Sequence, residues 1–203
     1  NLVRTTTYAN INGNYNYYGS GRFNKTIKLD TIHSLKPEIG IYLSTRKNMS
    51  FSNDIKYSSK STYISPNIGF TYTWKDILEL RPRYRPSFST TKYSIDRFST
   101  NKFVRHDFSI RVNTTVPKNL EWENDIRYAY DPNLIGDFQK SSWFWNSSVS
   151  YSVLKDQGII SLKAYDLLNQ NTDARRYATE NYIQNSQSTV LQRYFLIGFS
   201  YKF

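Results

Sequence analysis

Three sets of side chains in this sequence are spaced so as to suggest chemistry. Glu121 and Glu123 stand two apart. In an extended strand that puts both on one face, about 7 Å apart along the backbone. Paired carboxylates at short range can act as acid and base on a glycosidic bond. Charges alternating along a strand give the same spacing by default, and that plainer reading is favoured. His33 and His106 are the only histidines. Neither has companions at metal-ligand spacing, so no metal site is expected. No G-x-S-x-G nucleophile elbow occurs. Cysteine is absent, which removes disulfides and thiolate ligands. No catalytic residue, enzyme activity or cofactor is expected.

The third set is a charged face. Arg81, Arg83 and Arg85 follow Glu79 at every second residue, and Arg105, Asp107 and Arg111 share one parity further on. Glu121, Glu123, Asp125 and Arg127 complete the set. If Val116 pairs with Leu120 across the turn between them, Arg111 faces Asp125. One reading is a charged channel that selects an anionic solute. The other is a lattice of ion pairs that fills and stiffens an interior. The mixed signs match cross-strand pairing and favour the second.

Most of the residues between these charges are apolar or aromatic. Such alternation has the period of two that belongs to β-strands. About ten strands are expected: residues 3–17, 23–45, 49–58, 62–74, 78–94, 102–116, 120–131, 141–155, 158–168 and 189–203. In the first, Ala9, Ile11, Tyr15 and Tyr17 alternate with asparagines. Phe23, Ile27, Leu29, Leu35, Ile39, Ile41 and Leu43 all fall on odd numbers, which suggests one long strand, bent at Pro37. In the last, Phe195, Ile197, Phe199, Tyr201 and Phe203 share one side.

Composition agrees with strands. Of 203 residues, 38% are hydrophobic, yet 17% are aromatic, with 18 Tyr and 12 Phe. Mean hydropathy is −0.64, and no run of about 20 apolar residues exists to form a membrane helix. A transmembrane β-barrel escapes that test, because only alternate residues meet lipid. Net charge is +11 and the pI about 9.7, which suits nucleic acid, anionic lipid or an anionic solute. Stacking on single-stranded nucleic acid needs cations and aromatics on one side. Here they lie on opposite faces, so no nucleic-acid partner is expected. The amino terminus lacks a signal region and begins in strand-like sequence, which favours a piece of a longer chain.

The expected connections alternate in length. Arg46-Lys47-Asn48, Lys75-Asp76-Ile77, Pro117-Lys118-Asn119 and Asp156-Gln157 are short, while 95–101, 131–141 and 168–188 are long. Three-residue turns keep the odd/even phase and a two-residue turn reverses it. Short turns at one end and long loops at the other describe an antiparallel up-and-down barrel in an outer membrane. Counting back from Phe203 puts the short turns and both chain ends on the periplasmic side. Aromatic girdles mark the two interfaces of such barrels. Trp74 and Trp122 lie near short turns, and Tyr128, Tyr130, Trp143 and Trp145 flank a long loop. Trp122 and Tyr130 are eight residues apart, about 20 Å along a tilted barrel, which fits an apolar band about 25 Å tall.

The final stretch, through Gly198, Tyr201 and the terminal Phe203, resembles the signal by which outer-membrane barrels are recognised for assembly. Leu196 stands where that pattern usually has a polar residue. The segment Ala164-Tyr165-Asp166-Leu167-Leu168-Asn169-Gln170-Asn171, followed by Arg193-Tyr194-Phe195, resembles the carboxyl-terminal end of TonB-dependent transporter barrels in Bacteroidota. The turn from Val116 to Leu120 is similar too. The resemblance covers the second half well and the first half loosely. It implies a barrel of about 22 strands around an amino-terminal plug, with a TonB box that draws energy from an inner-membrane complex. With room for about ten strands, and no plug or TonB box visible, the chain is expected to be the carboxyl-terminal part of such a barrel. Expected partners are the lipid bilayer and lipopolysaccharide, the barrel-assembly machinery, and an outer-membrane lipoprotein or other complex subunits. Two alternatives stand beside it. One is a stand-alone ten-strand barrel acting as a scaffold or accessory subunit. The other is a soluble β-sandwich binding module with its aromatic faces hidden between two sheets.

Overall fold

The computed structural model describes residues 10–52, 55–117, 119–171, 173–178, 183–188 and 190–203. All regular structure there is β. The strands are β1 (Tyr15–Asn24), β2 (Ile27–Lys28), β3 (His33–Ser52), β4 (Ile55–Trp74), β5 (Leu78–Tyr93) and β6 (Asn101–Thr115). They continue as β7 (Leu120–Tyr130), β8 (Ser141–Val153), β9 (Gly158–Tyr165), β10 (Asp173–Ala178), β11 (Ile183–Ser188) and β12 (Tyr194–Tyr201). One ten-stranded antiparallel sheet runs in the order β1-β3-β4-β5-β6-β7-β8-β9-β12, with β2 also on β3. β10 and β11 form a separate hairpin. The main sheet is open, with β1 and β12 as its edges.

β1 and β2 are one strand line. Their register on β3 is continuous, from Asn24↔Glu38 to Ile27↔Leu35. The break between them falls where Lys25 would meet Pro37, which has no N–H to give to the ladder. Prolines mark the other gaps as well. Pairing of β4 with β5 lapses between Ile64↔Phe88 and Ile68↔Tyr84, around Pro66 and Pro86. It lapses again between Gly69↔Arg83 and Tyr72↔Leu80, beside Pro82.

The first third of the chain departs from the sequence expectation. Residues 23–45 are two strands, not one. Asp30-Thr31-Ile32 turns the chain, and the Leu29 N–H donates to the His33 carbonyl at 3.0 Å. Asp30 Oδ1 accepts from the N–H groups of Ile32 (2.8 Å) and His33 (2.7 Å). A three-residue turn keeps the odd/even phase, so alternation could not reveal it. The expected turn at Arg46-Lys47-Asn48 lies inside β3. The actual reversal joins Ser52 to Ile55, within the stretch 49–58 expected as a strand. Of the expected strand 3–17, residues 3–9 lie outside the described residues. Phe203 sits at the short-turn end as expected. The chain start is outside the described residues, and Tyr15 lies at the opposite end, across from Lys47.

From β4 onward the expected strands are present, with ends shifted by a few residues. The last begins at Tyr194 rather than Thr189. Within the long loop expected at 168–188 lies the β10–β11 hairpin. The sandwich alternative is not met: no second large sheet covers the aromatic face among the described residues. Only Tyr57 and Leu134 are buried apolar side chains there, whereas Phe195, Ile197 and Phe199 are 61%, 84% and 62% exposed. A sheet with no apolar core and a continuous apolar face is built for a lipid solvent.

Candidate functional site

The charged residues share one face of the sheet, and eight of them, from Arg81 on β5 to Arg127 on β7, bound a hollow of about 670 Å³. Parity along each strand places them there, opposite the aromatics. Glu79, Arg81, Arg83 and Arg85 come from β5, Arg105, Asp107 and Arg111 from β6, and Glu121, Glu123, Asp125 and Arg127 from β7. A second hollow of about 400 Å³ adjoins it, lined by Glu121, Glu123 and Lys163 among others.

Arg111 does pair with Asp125 in register, and its Nη2 donates to Asp125 Oδ2 at 3.0 Å. Arg127, on the same strand as Asp125, donates Nε at 2.8 Å and Nη2 at 2.9 Å. One carboxylate thus ties two guanidiniums from neighbouring strands. Arg81 and Arg111 stand directly opposite each other. Their repulsion is relieved because Arg81 turns to Glu79 (2.7 Å) and Arg111 to Asp125. Arg85 faces Asp107 in register, but Asp107 is held by Arg105 at 3.2 Å. Arg85 has no ion pair among the described residues.

Two members of this face escaped sequence reasoning. Glu38 on β3 meets Arg22 of β1 at 3.8 Å and Arg83 of β5 at 3.7 Å. β4 lies between Glu38 and Arg83, and the residue it places there is Gly69: the register runs Glu38↔Gly69↔Arg83. A Cβ on Gly69 would come within 2.6 Å of the Pro82 carbonyl oxygen and 2.8 Å of Arg83 Cγ. The missing side chain leaves the space through which Arg83 reaches across a strand. Glu38 falls in the stretch 23–45 read as one strand and Arg22 just before it, so their adjacency had no signal.

Glu121 and Glu123 are both exposed. Glu123 accepts from Ser148 Oγ at 3.3 Å, and neither carboxylate is enclosed as an acid–base pair would be. Among the described residues no three His, Cys, Asp or Glu side chains are placed to hold a metal ion. Among the described residues Asp166 is the most buried polar side chain, at 1% exposure. Its two carboxylate oxygens accept from the N–H groups of Gln170 (3.1 Å) and Asn171 (3.0 Å). Asn169 Oδ1 accepts from the Arg193 N–H at 3.2 Å. The Asp166–Asn169 segment therefore anchors both ends of the long loop.

The outer face holds the aromatics. Trp74 and Trp122 fall in one cross-strand row, Trp74↔Leu78↔Thr114↔Trp122. Trp122 Nε1 donates to Ser147 Oγ at 2.9 Å, and Trp145 Nε1 to Asn124 Oδ1 at 3.1 Å. Tyr128 and Trp143 are direct partners with ring centres 4.8 Å apart. Both histidines lie on this face too. His33 stacks on Trp74 at 5.8 Å and shares a 2.7 Å hydrogen bond with the Tyr72 hydroxyl. His106 sits between Tyr84 and Tyr130, with ring centres at 6.1 and 6.0 Å. Indole, phenol and imidazole groups with a polar tip suit a membrane–water boundary.

On the closing strand, Gly198 faces inward against Ser161, and Tyr201 pairs with Gly158. Phe203 lies just past the strand, edge-on to Tyr201 at 5.4 Å and fully exposed. A family model described as outer membrane protein beta-barrel family matches residues 67–201, from the middle of β4 to the end of β12. Comparison with curated proteins and with solved structures finds no match. An aromatic face of this kind suits lipid as its solvent, and the chain belongs to the outer membrane protein beta-barrel family and resides in the bacterial outer membrane.

Proposed function

We propose that this chain is the carboxyl-terminal wall of a larger barrel of the TonB-dependent transporter type, which takes up a solute through its lumen. The observation that carries the reading is the direction of the two edge strands. β1 runs from the long-loop end to the short turn at 30–32, and β12 runs from its long loop toward Phe203. Both point the same way. In lipid every strand edge needs a partner. Pairing β1 with β12 directly would make a parallel ladder in an otherwise antiparallel sheet. A ring of identical copies fails in the same way, since each junction would again set β12 beside β1. Antiparallel closure takes an odd number of further strands, and strands upstream on the same polypeptide supply them. The segments from Ala164 to Asn171 and from Arg193 to Phe195 support the transporter type, and a lumen lined with charge suits a polar solute.

The test is disulfide crosslinking of the full-length protein in membranes. Cysteines replacing Phe199 on β12 and Gly21 on β1 should not join to each other. Cysteines in upstream strands should join to the one at 199 within the same chain. Efficient crosslinking of 199 to 21 would overturn the proposal.

A further inference from the structure

We propose that the outer face carries a headgroup site for a phosphorylated lipid of the outer leaflet, built from Lys47, Lys60 and Lys92. It rests on the outer-membrane location alone, not on the transporter reading.

Three successive outward-facing rows cross β1, β3, β4 and β5, and the first two continue onto β6. The first is apolar: Gly19↔Leu43↔Ile64↔Phe88↔Val104. The next, two residues toward the long loops, is Tyr17↔Thr45↔Thr62↔Thr90↔Lys102. The third is Tyr15↔Lys47↔Lys60↔Lys92. Each step is about 6.6 Å along a strand, or about 5 Å along the membrane normal at a tilt near 40°. On each strand the lysine row therefore stands about 10 Å above the Gly19-to-Val104 row, at headgroup depth, on the side of the long extracellular loops.

Three like charges on adjacent strands, directly opposite one another, repel and destabilise the sheet. Among the described residues none of the three makes an ion pair. An external anion resolves this arrangement. Lysine is a compact point charge that serves phosphate, and its stem can lie along the threonine row toward the apolar row beneath. A ligand at this place meets cations above and lipid below, so it must be an amphiphile with a phosphorylated headgroup. A free anion would gain nothing from the apolar row.

The experiment titrates the detergent-solubilised full-length protein with bisphosphorylated lipid A, dephosphorylated lipid A and inorganic phosphate, read by native mass spectrometry. Phosphorylated lipid A should bind roughly a hundredfold more tightly than the dephosphorylated form, from three surface charges. K47Q/K60Q/K92Q should bind both forms alike, and the triple Lys→Arg variant should keep the preference. K75Q/K155Q, at the opposite end, should behave as the parent. Retained heat-modifiable migration on a gel reports that each variant is folded. Should the triple Gln variant not fold, K60Q alone decides, with roughly a fivefold loss expected. Equal binding of the two lipid forms by the parent, or an unchanged preference in the Gln variants, overturns the proposal. So does displacement of lipid A by an equal concentration of inorganic phosphate, which would make this a site for free anions.

Discussion

Adding one methyl group at Gly69 should disturb the barrel wall more than adding it at any other strand glycine on β1 to β4. The new Cβ would meet the Pro82 carbonyl oxygen at 2.6 Å and Arg83 Cγ at 2.8 Å. The first of these is backbone and cannot swing away, so β4 and β5 must separate locally. Overpacking of this kind costs about 1–3 kcal/mol. Loss of the Arg83–Glu38 contact adds only a few tenths of a kcal/mol, because Arg83 is 55% exposed and the separation is already 3.7 Å. Gly→Ala also removes freedom from the unfolded chain, worth about 0.4–1 kcal/mol in the opposite sense. The net expectation is a loss of about 1–2 kcal/mol. Gly21→Ala is the control: nothing lies within 4 Å of its Cβ, so only the entropic gain remains. Gly40→Ala should fall between. Its Cβ meets Asn67 Nδ2 at 2.6 Å, the end of a side chain that can rotate. None of the three has a positive φ, so backbone strain does not enter. Urea unfolding of the full-length protein in vesicles gives the order as midpoints at equal slope. A Gly69→Ala midpoint at or above that of Gly21→Ala would refute the reasoning.

Three further outcomes follow from the same geometry. Arg111→Ala and Asp125→Ala should couple by about 0.5–1 kcal/mol in a double-mutant cycle, since the pair is hydrogen-bonded but partly exposed; independent effects would mean the contact is not maintained in the membrane. Phe203→Ala, or removal of Tyr201-Lys202-Phe203, should lower the amount of folded protein in the outer membrane, and normal levels would show that the terminal aromatic is no assembly signal. In the 30–32 turn the Asp30 carboxyl is held below its ordinary range, chiefly by the Ile32 N–H and, against desolvation, also by the His33 N–H. Its folded value lies below its unfolded one, so its stabilisation is complete above the unfolded value and fades as pH falls through the folded one. The Ile32 and His33 amide resonances should move with that titration and stay still in Asp30→Asn; identical acid shifts in both proteins would contradict the assignment.

Alternation was a good guide wherever a strand kept one solvent on each face. The Trp122 and Arg111 faces on β6 and β7 could be read directly, and the turn pairing Val116 with Leu120 set the Arg111–Asp125 partnership. Alternation failed where a turn leaves parity unchanged, as Asp30-Thr31-Ile32 does. It also failed on β3 and β4, which are 20 residues each. Strands of that length leave the membrane, since about 9–11 residues suffice to cross it. Beyond the lipid the apolar pattern changes: Lys47, Lys56 and Lys60 point outward, and Tyr57 turns inward to pack on Phe98 at 5.1 Å. A change of solvent along one strand looks, in sequence, like a turn. Contacts across an intervening strand, such as Glu38 over Gly69 to Arg83, depend on two registers at once and have no local signature.

The excess of positive charge was ambiguous in sequence, and the structure divides it by residue type. Every ion pair among the described residues uses an arginine and none uses a lysine. The planar guanidinium can hold a carboxylate through two N–H groups, as Arg127 holds Asp125, and is weakly hydrated. It therefore suits a lumen wall where charges are crowded and must be fixed. The ammonium of lysine is compact and strongly hydrated, and the outward row of Lys47, Lys60 and Lys92 faces a boundary where water and headgroups meet it. On the arginine face, Arg85 is left without an ion pair among the described residues. A lysine row outside concerns the surrounding leaflet and has no bearing on what passes through the lumen. The two surpluses are separated by the thickness of one sheet, so substitutions in one face should leave the function of the other untouched.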